Sequence, residues 1–190
     1  ELNLLAYGLR NAWQIHEYKN LLFMTDVGHS EFEELNILDY EKLSTNISFG
    51  WPVFEGVQKY SSYDKHLEEL NKLQYWNGKE YLSGEEYIVN NSALPSVYYS
   101  HITPNGFLRS AAIGGDIIVD ESSKYYEKYF FTDYISKEIF EYDYKNDELI
   151  IYPFKNDVKG TITSLRVNPL VDDSLIVSTT AGEIIFLNLP

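Results

Sequence analysis

The sequence has no cysteine, so neither a structural disulfide nor thiolate chemistry is open to it, and the redox compartment stays undecided. Arginine is scarce: Arg10, Arg109 and Arg166 are the three in 190 residues. Positive charge is short overall, with 15 Lys and Arg against 29 Asp and Glu, a net charge of −14. Such a field repels phosphate backbones and anionic lipid, so nucleic acid and membrane surfaces are not expected partners. Long apolar runs are missing too. Stretches such as Leu21–Met24 and Ile184–Leu187 stop far short of the ~20 residues a membrane helix needs. The chain opens without Met, a basic segment or an apolar signal stretch, and Glu1 to Leu5 reads as the inside of a strand. It is therefore expected to be part of a longer protein.

What is present is aromatic. The composition is 44% hydrophobic and 16% aromatic, with 17 Tyr and 10 Phe, residues that suit a pleated, half-buried surface. The length suits one folded unit with a real core. Three stretches share a plan of apolar strand, turn and second strand: "LLFMTDVGHSEFEELNIL" from Leu21, "YFFTDYISKEIFEYDY" from Tyr129 and "SLIVSTTAGEIIFLNL" from Ser174. The last two superpose with Asp133 over Ser178 and Glu138 over Glu183, an offset of 45 residues. Short strands repeating at roughly 40 to 50 residues are the mark of propeller blades. The expected fold is all-β: about three blades of a β-propeller, with a long insertion from about Tyr40 to Asn105. Within it, Leu67, Leu70 and Leu73 predict a short amphipathic helix over 63–73, and the remainder reads as loop. Hairpin turns are expected at 144–147 and 169–174.

In order along the chain, "YGLRNAW" (Tyr7–Trp13), "TDVGHSEFEELN" (Thr25–Asn36), "FGWPVFEG" (Phe49–Gly56), "IGGDIIV" (Ile113–Val119) and "YFFTDYISKEIF" resemble the second half of the soluble quinoprotein glucose dehydrogenases and aldose sugar dehydrogenases. The resemblance implies a six-bladed propeller that oxidises sugars with pyrroloquinoline quinone (PQQ) held over calcium. It implies Arg10 and Asn11 as partners of the quinone, and the main-chain carbonyls of Gly28 and His29 as calcium ligands. It also implies a periplasmic or extracellular protein. The chemistry suits these roles, because a guanidinium pairs with a carboxylate and calcium accepts main-chain oxygens. An alternative role for Arg10 and Asn11 is to close the blade-to-blade turn by bonding backbone carbonyls.

The departures from the family weigh against a complete site. PQQ carries three carboxylates, yet the positions where the family places basic residues match Val119, Ile135, Thr161 and Thr163 here. Arg166 could substitute, and alternation puts it on the face opposite Leu165 and Val167. The family's catalytic histidine lies upstream of the Arg-Asn motif, so no catalytic residue is expected within this chain. His16, His66 and His101 read as surface or hydrogen-bonded core residues. The paired glycines of "IGGD" read as a place of close backbone approach. Trp76, in "YWNGKEY", is the candidate for stacking on a sugar. Two functions stay open: a sugar dehydrogenase whose base comes from a missing first half, and a diverged, non-catalytic propeller that binds a glycan or protein with calcium. In either case the incomplete ring predicts self-association or pairing with that missing half.

Overall fold

A computed structural model describes residues 4–43, 47–60, 62, 64–153 and 158–190, with Lys65 and His66 described in backbone only. Three antiparallel sheets follow one another along the chain. The first runs Ala12–Tyr18, Leu21–Asp26, Phe32–Asp39 and Val97–Ser100; the second runs Ala112–Ile117, Tyr129–Asp133, Ile139–Asp143 and Glu148–Tyr152. The third has Ile162–Val167, Ser174–Thr179 and Ile184–Asn188. The strands Ala12–Tyr18, Ala112–Ile117 and Ile162–Val167 lead their sheets and pack side by side, which makes them the inner strands of three blades. The fold is a partial β-propeller, and each of the three repeated stretches is the central hairpin of a blade.

Burial explains the aromatic richness. Tyr129, Phe131, Phe140 and Tyr142 of the second blade face Phe23, Leu35, Val97 and Tyr99 of the first. Phe130 and Ile139 point the other way, into Ile162, Leu165, Leu175 and Val177 of the third. A strand covered on both faces has no solvent side, so Tyr129–Asp133 is buried at every position. The rings are offset-stacked: Phe23 on Tyr129 at 4.6 Å, and Phe140 between Phe131 and Tyr99 at 4.8 Å from each. The two glycines of "IGGD" are where the inner strands close up: a Cβ on Gly114 would lie 2.5 Å from the Cβ of Gln14.

The expected insertion is shorter than 40–105, because Val97–Ser100 is the outer strand of the first blade, paired with Phe32–Leu35. The residues before it build a small unit on that blade, with a helix at Asp64–Lys72, a hairpin at Gln74–Trp76 and Tyr81–Ser83, and a second helix at Gly84–Asn91. The first helix is the one predicted; Tyr63 and the His66 side chain lie outside the described residues. The second helix was not expected. Val53, Tyr60 and Ile88 form the unit's core, with Tyr7, Trp51, Phe54, Leu67 and Leu70 around them. Phe49, Ile47 and Leu9 cover Met24 and Leu38 on the first blade's outer face. No described helix is long and apolar enough to cross a membrane.

Candidate functional site

Each blade's central hairpin turns at the same end of the ring as the crossing into that blade, and the sequence candidates gather there. Asp26, at the end of its strand, holds the crossing: its carboxylate accepts the backbone N–H of Arg10 at 2.8 Å and of Asn11 at 2.6 Å. Arg10 then reaches across the hairpin turn, and its Nη1 donates to the carbonyls of Val27 and Gly28 at 2.9 Å each. The guanidinium lies over the ring of Trp51, 5.6 Å from its centroid. Of the two roles open to Arg10, closing the turn through backbone carbonyls is the one these contacts display. The Asn11 side chain has no hydrogen bond among the described residues and belongs to an exposed residue.

The turn itself is folded around Glu55. One oxygen, Oε1, accepts the N–H groups of His29, Ser30, Glu31 and Phe32 at 2.8, 2.9, 2.8 and 3.0 Å. Burial works against the Glu55 charge, but these backbone donors outweigh it and hold its pKa below the ordinary value. Gly28 must be glycine, because a Cβ there would sit 1.6 Å from the carbonyl oxygen of Phe32. His29 is a turn residue: its Nδ1 lies 2.8 Å from the Tyr60 hydroxyl, and its ring stacks with Trp51 at 6.3 Å.

Beneath the turn lies a set of buried carboxylates. Glu33, fully buried, accepts the N–H groups of Ala111 and Ala112, and His101 Nε2 approaches it to 2.7 Å. The Glu33 carboxylate beside it raises the pKa of His101. Burial pushes Glu34 up to about 7, despite the hydrogen bonds it accepts from Asn36 and Gly56. Asp133 is pushed up to about 6 by burial while it caps the corresponding turn of the second blade through the N–H groups of Ile135 and Ser136. Burial also raises Asp26. Among the described residues no three His, Asp or Glu side chains converge as a metal site.

The other candidates fall elsewhere. Trp76 is 56% exposed on the insertion's hairpin, beside Tyr81 at 5.2 Å, away from the Arg10 turn in sequence and sheet. Arg166 does sit on an inner strand, where it donates to the carbonyl of Gly115 at 2.8 Å and, with the Gln14 amide oriented oxygen-inward, to that oxygen as well. His16, which had no visible partner in sequence, has its Nδ1 3.4 Å from Asp116. Val119 and Ile135 are exposed, and Thr163 bonds Ser178, so the positions at which the resemblance expects cations are neutral here.

The residues present fit one carboxylate of a quinone cofactor, through the outer N–H groups of Arg10 and the amide of Asn11. They do not fit three carboxylates above a calcium ion: the Gly28 carbonyl is taken by Arg10, and no further cation lies on this turn among the described residues.

Comparison with protein-family models and with curated proteins finds no match. Solved structures do match. The PQQ-bound aldose sugar dehydrogenase of Streptomyces coelicolor superposes with a TM-score of 0.55 at 15% identity, covering 96% of this chain and 44% of its own. Two glucose dehydrogenase structures superpose with TM-scores of 0.58 at 17% and 15% identity, each covering 98% of this chain and 46% of its own. The chain thus spans less than half the length of the structures it matches. Its fold is that of part of a sugar-dehydrogenase-type propeller.

Proposed function

We propose that this chain is the second half of a sugar-dehydrogenase-type propeller, and that it takes part in aldose oxidation only when the rest of the ring supplies the base and the further cations that a PQQ cofactor needs. What supports the reading is the joint occurrence of a fold match over nearly the whole chain and an Arg-Asn pair on the blade crossing, held by Asp26. Arg10 and Asn11 are the proposed contacts to a ligand carboxylate, Trp76 the proposed sugar-stacking side chain, and the compartment periplasmic or extracellular, as in the family it resembles. The second reading is a non-catalytic propeller that binds a glycan or protein with calcium. Fold does not choose between them.

Dye reduction separates the two. The chain alone is expected to show no sugar-dependent reduction with added quinone and calcium, and addition of the complementary half of the ring is expected to create it. No activity in a correctly assembled ring refutes the dehydrogenase reading. In the same assay series, Trp76→Ala is expected to weaken sugar binding without changing the melting temperature.

A further inference from the structure

The carbonyls of Val27 and Gly28 point to one side of their turn because the following N–H groups are gathered on the other. Glu33 Oε2 accepts the Gly28 N–H at 3.3 Å and Glu55 accepts the four that follow, from His29 to Phe32, so the planar peptides direct the Val27 and Gly28 carbonyls the other way. Two adjacent main-chain oxygens presented together are a natural seat for a hard cation. In this chain the seat holds a guanidinium nitrogen, 2.9 Å from each oxygen. Three separate contacts keep it there: Asp26 fixes the Arg10 backbone, the turn fixes Nη1, and the Trp51 ring fixes the guanidinium plane.

We infer that Arg10 is the resident cation of this turn, standing in the place where a divalent metal would sit, so that the turn folds and persists without calcium. Calcium asks for six to eight oxygens. Here Val27 and Gly28 already accept from Arg10, the two Asp26 oxygens accept backbone N–H groups, and Glu55 Oε1 accepts four. A metal entering beside Arg10 meets like charge at contact distance and must displace it. The inference rests on the geometry of the turn, and sugar oxidation does not enter its readout.

The test is the thermal stability of the chain in calcium and in chelator. Wild type is expected to melt at the same temperature in about 1 mM calcium, the weak end of protein calcium sites, and in EDTA. Arg10→Gln removes the charge and leaves both carbonyls unpaired; it is expected to melt several degrees lower, to regain part of that loss with calcium, and to bind calcium at least tenfold more tightly than wild type in calorimetric titration. A calcium-dependent rise in the wild-type melting temperature overturns the inference, as does an Arg10→Gln chain that melts with wild type. If Arg10→Gln does not fold, the wild-type titration decides alone.

Discussion

Carboxylates at the hairpin end of the ring do two opposite things with burial. Glu55 keeps its charge because four N–H groups surround one oxygen, whereas Glu34, with one backbone and one amide donor, is pushed up to about 7. The sign of the consequence follows from linkage. A carboxyl whose folded pKa exceeds its unfolded value, here about 7 against 4.5, binds its proton more tightly in the folded chain. Its contribution is fully present below the unfolded value and is lost as pH rises through the window between the two. Asp133, raised from 3.8 to about 6, acts in the same direction over a lower window. Glu34→Gln is therefore expected to raise stability at pH 8 by about 2 kcal/mol and to flatten the dependence between pH 5 and 8, since the amide mimics the protonated acid. Denaturant melts at several pH values check this, and an unchanged slope contradicts it. At this scale the sequence was partly legible. Arg10, Asn11, Gly28 and His29 were picked out by resemblance; the first two lie on the blade crossing held by Asp26, the other two on the hairpin turn that Arg10 bonds. Glu55 was not, because its role depends on N–H groups of a segment 23 residues away, to which local pattern is blind.

At the level of the element, the second blade carries the packing. Among the described residues it is the one blade with another blade packed on each face, and Phe140 sits in its middle with no exposed surface, stacked on Phe131 and Tyr99. Phe140→Ala is expected to cost about 3 to 5 kcal/mol in equilibrium unfolding, because the stacked rings cannot collapse into the space left. A loss below about 1 kcal/mol contradicts the packing described. The hairpins of the blades were readable from their alternation and turns, and so was the helix over Asp64–Lys72. The helix over Gly84–Asn91 was missed although its signal was present: Ser83 and Glu86 form a reciprocal capping box. The strand Val97–Ser100 was hidden inside the expected insertion, since four residues give little periodicity and their partner strand ends at Asp39.

The whole molecule is set by two unfinished faces. On the third blade Ile184 is 75% and Phe186 67% exposed; on the first, Trp13 and Ile15 stand out from the inner strand. Apolar strand faces of this kind mark surfaces that pair. Following the proposal that the ring is completed by a partner half or by another copy, the isolated chain is expected to self-associate with rising concentration. Ile184→Lys with Phe186→Glu is expected to abolish that association while leaving the melting temperature within a few degrees. A clean wild-type monomer in light scattering at high concentration contradicts the open-face reading. The three blades were legible as three stretches of one plan, the last two offset by 45 residues, but which faces stay open could be read only from the sheets.

These residues form one end of a sugar-dehydrogenase-type propeller, and Arg10 there is committed to its own turn. Calorimetric titration of the purified chain with pyrroloquinoline quinone, in calcium and in chelator, tests it most directly. No saturable complex is expected at micromolar quinone under either condition. A stoichiometric, calcium-dependent complex of micromolar or tighter affinity would contradict it.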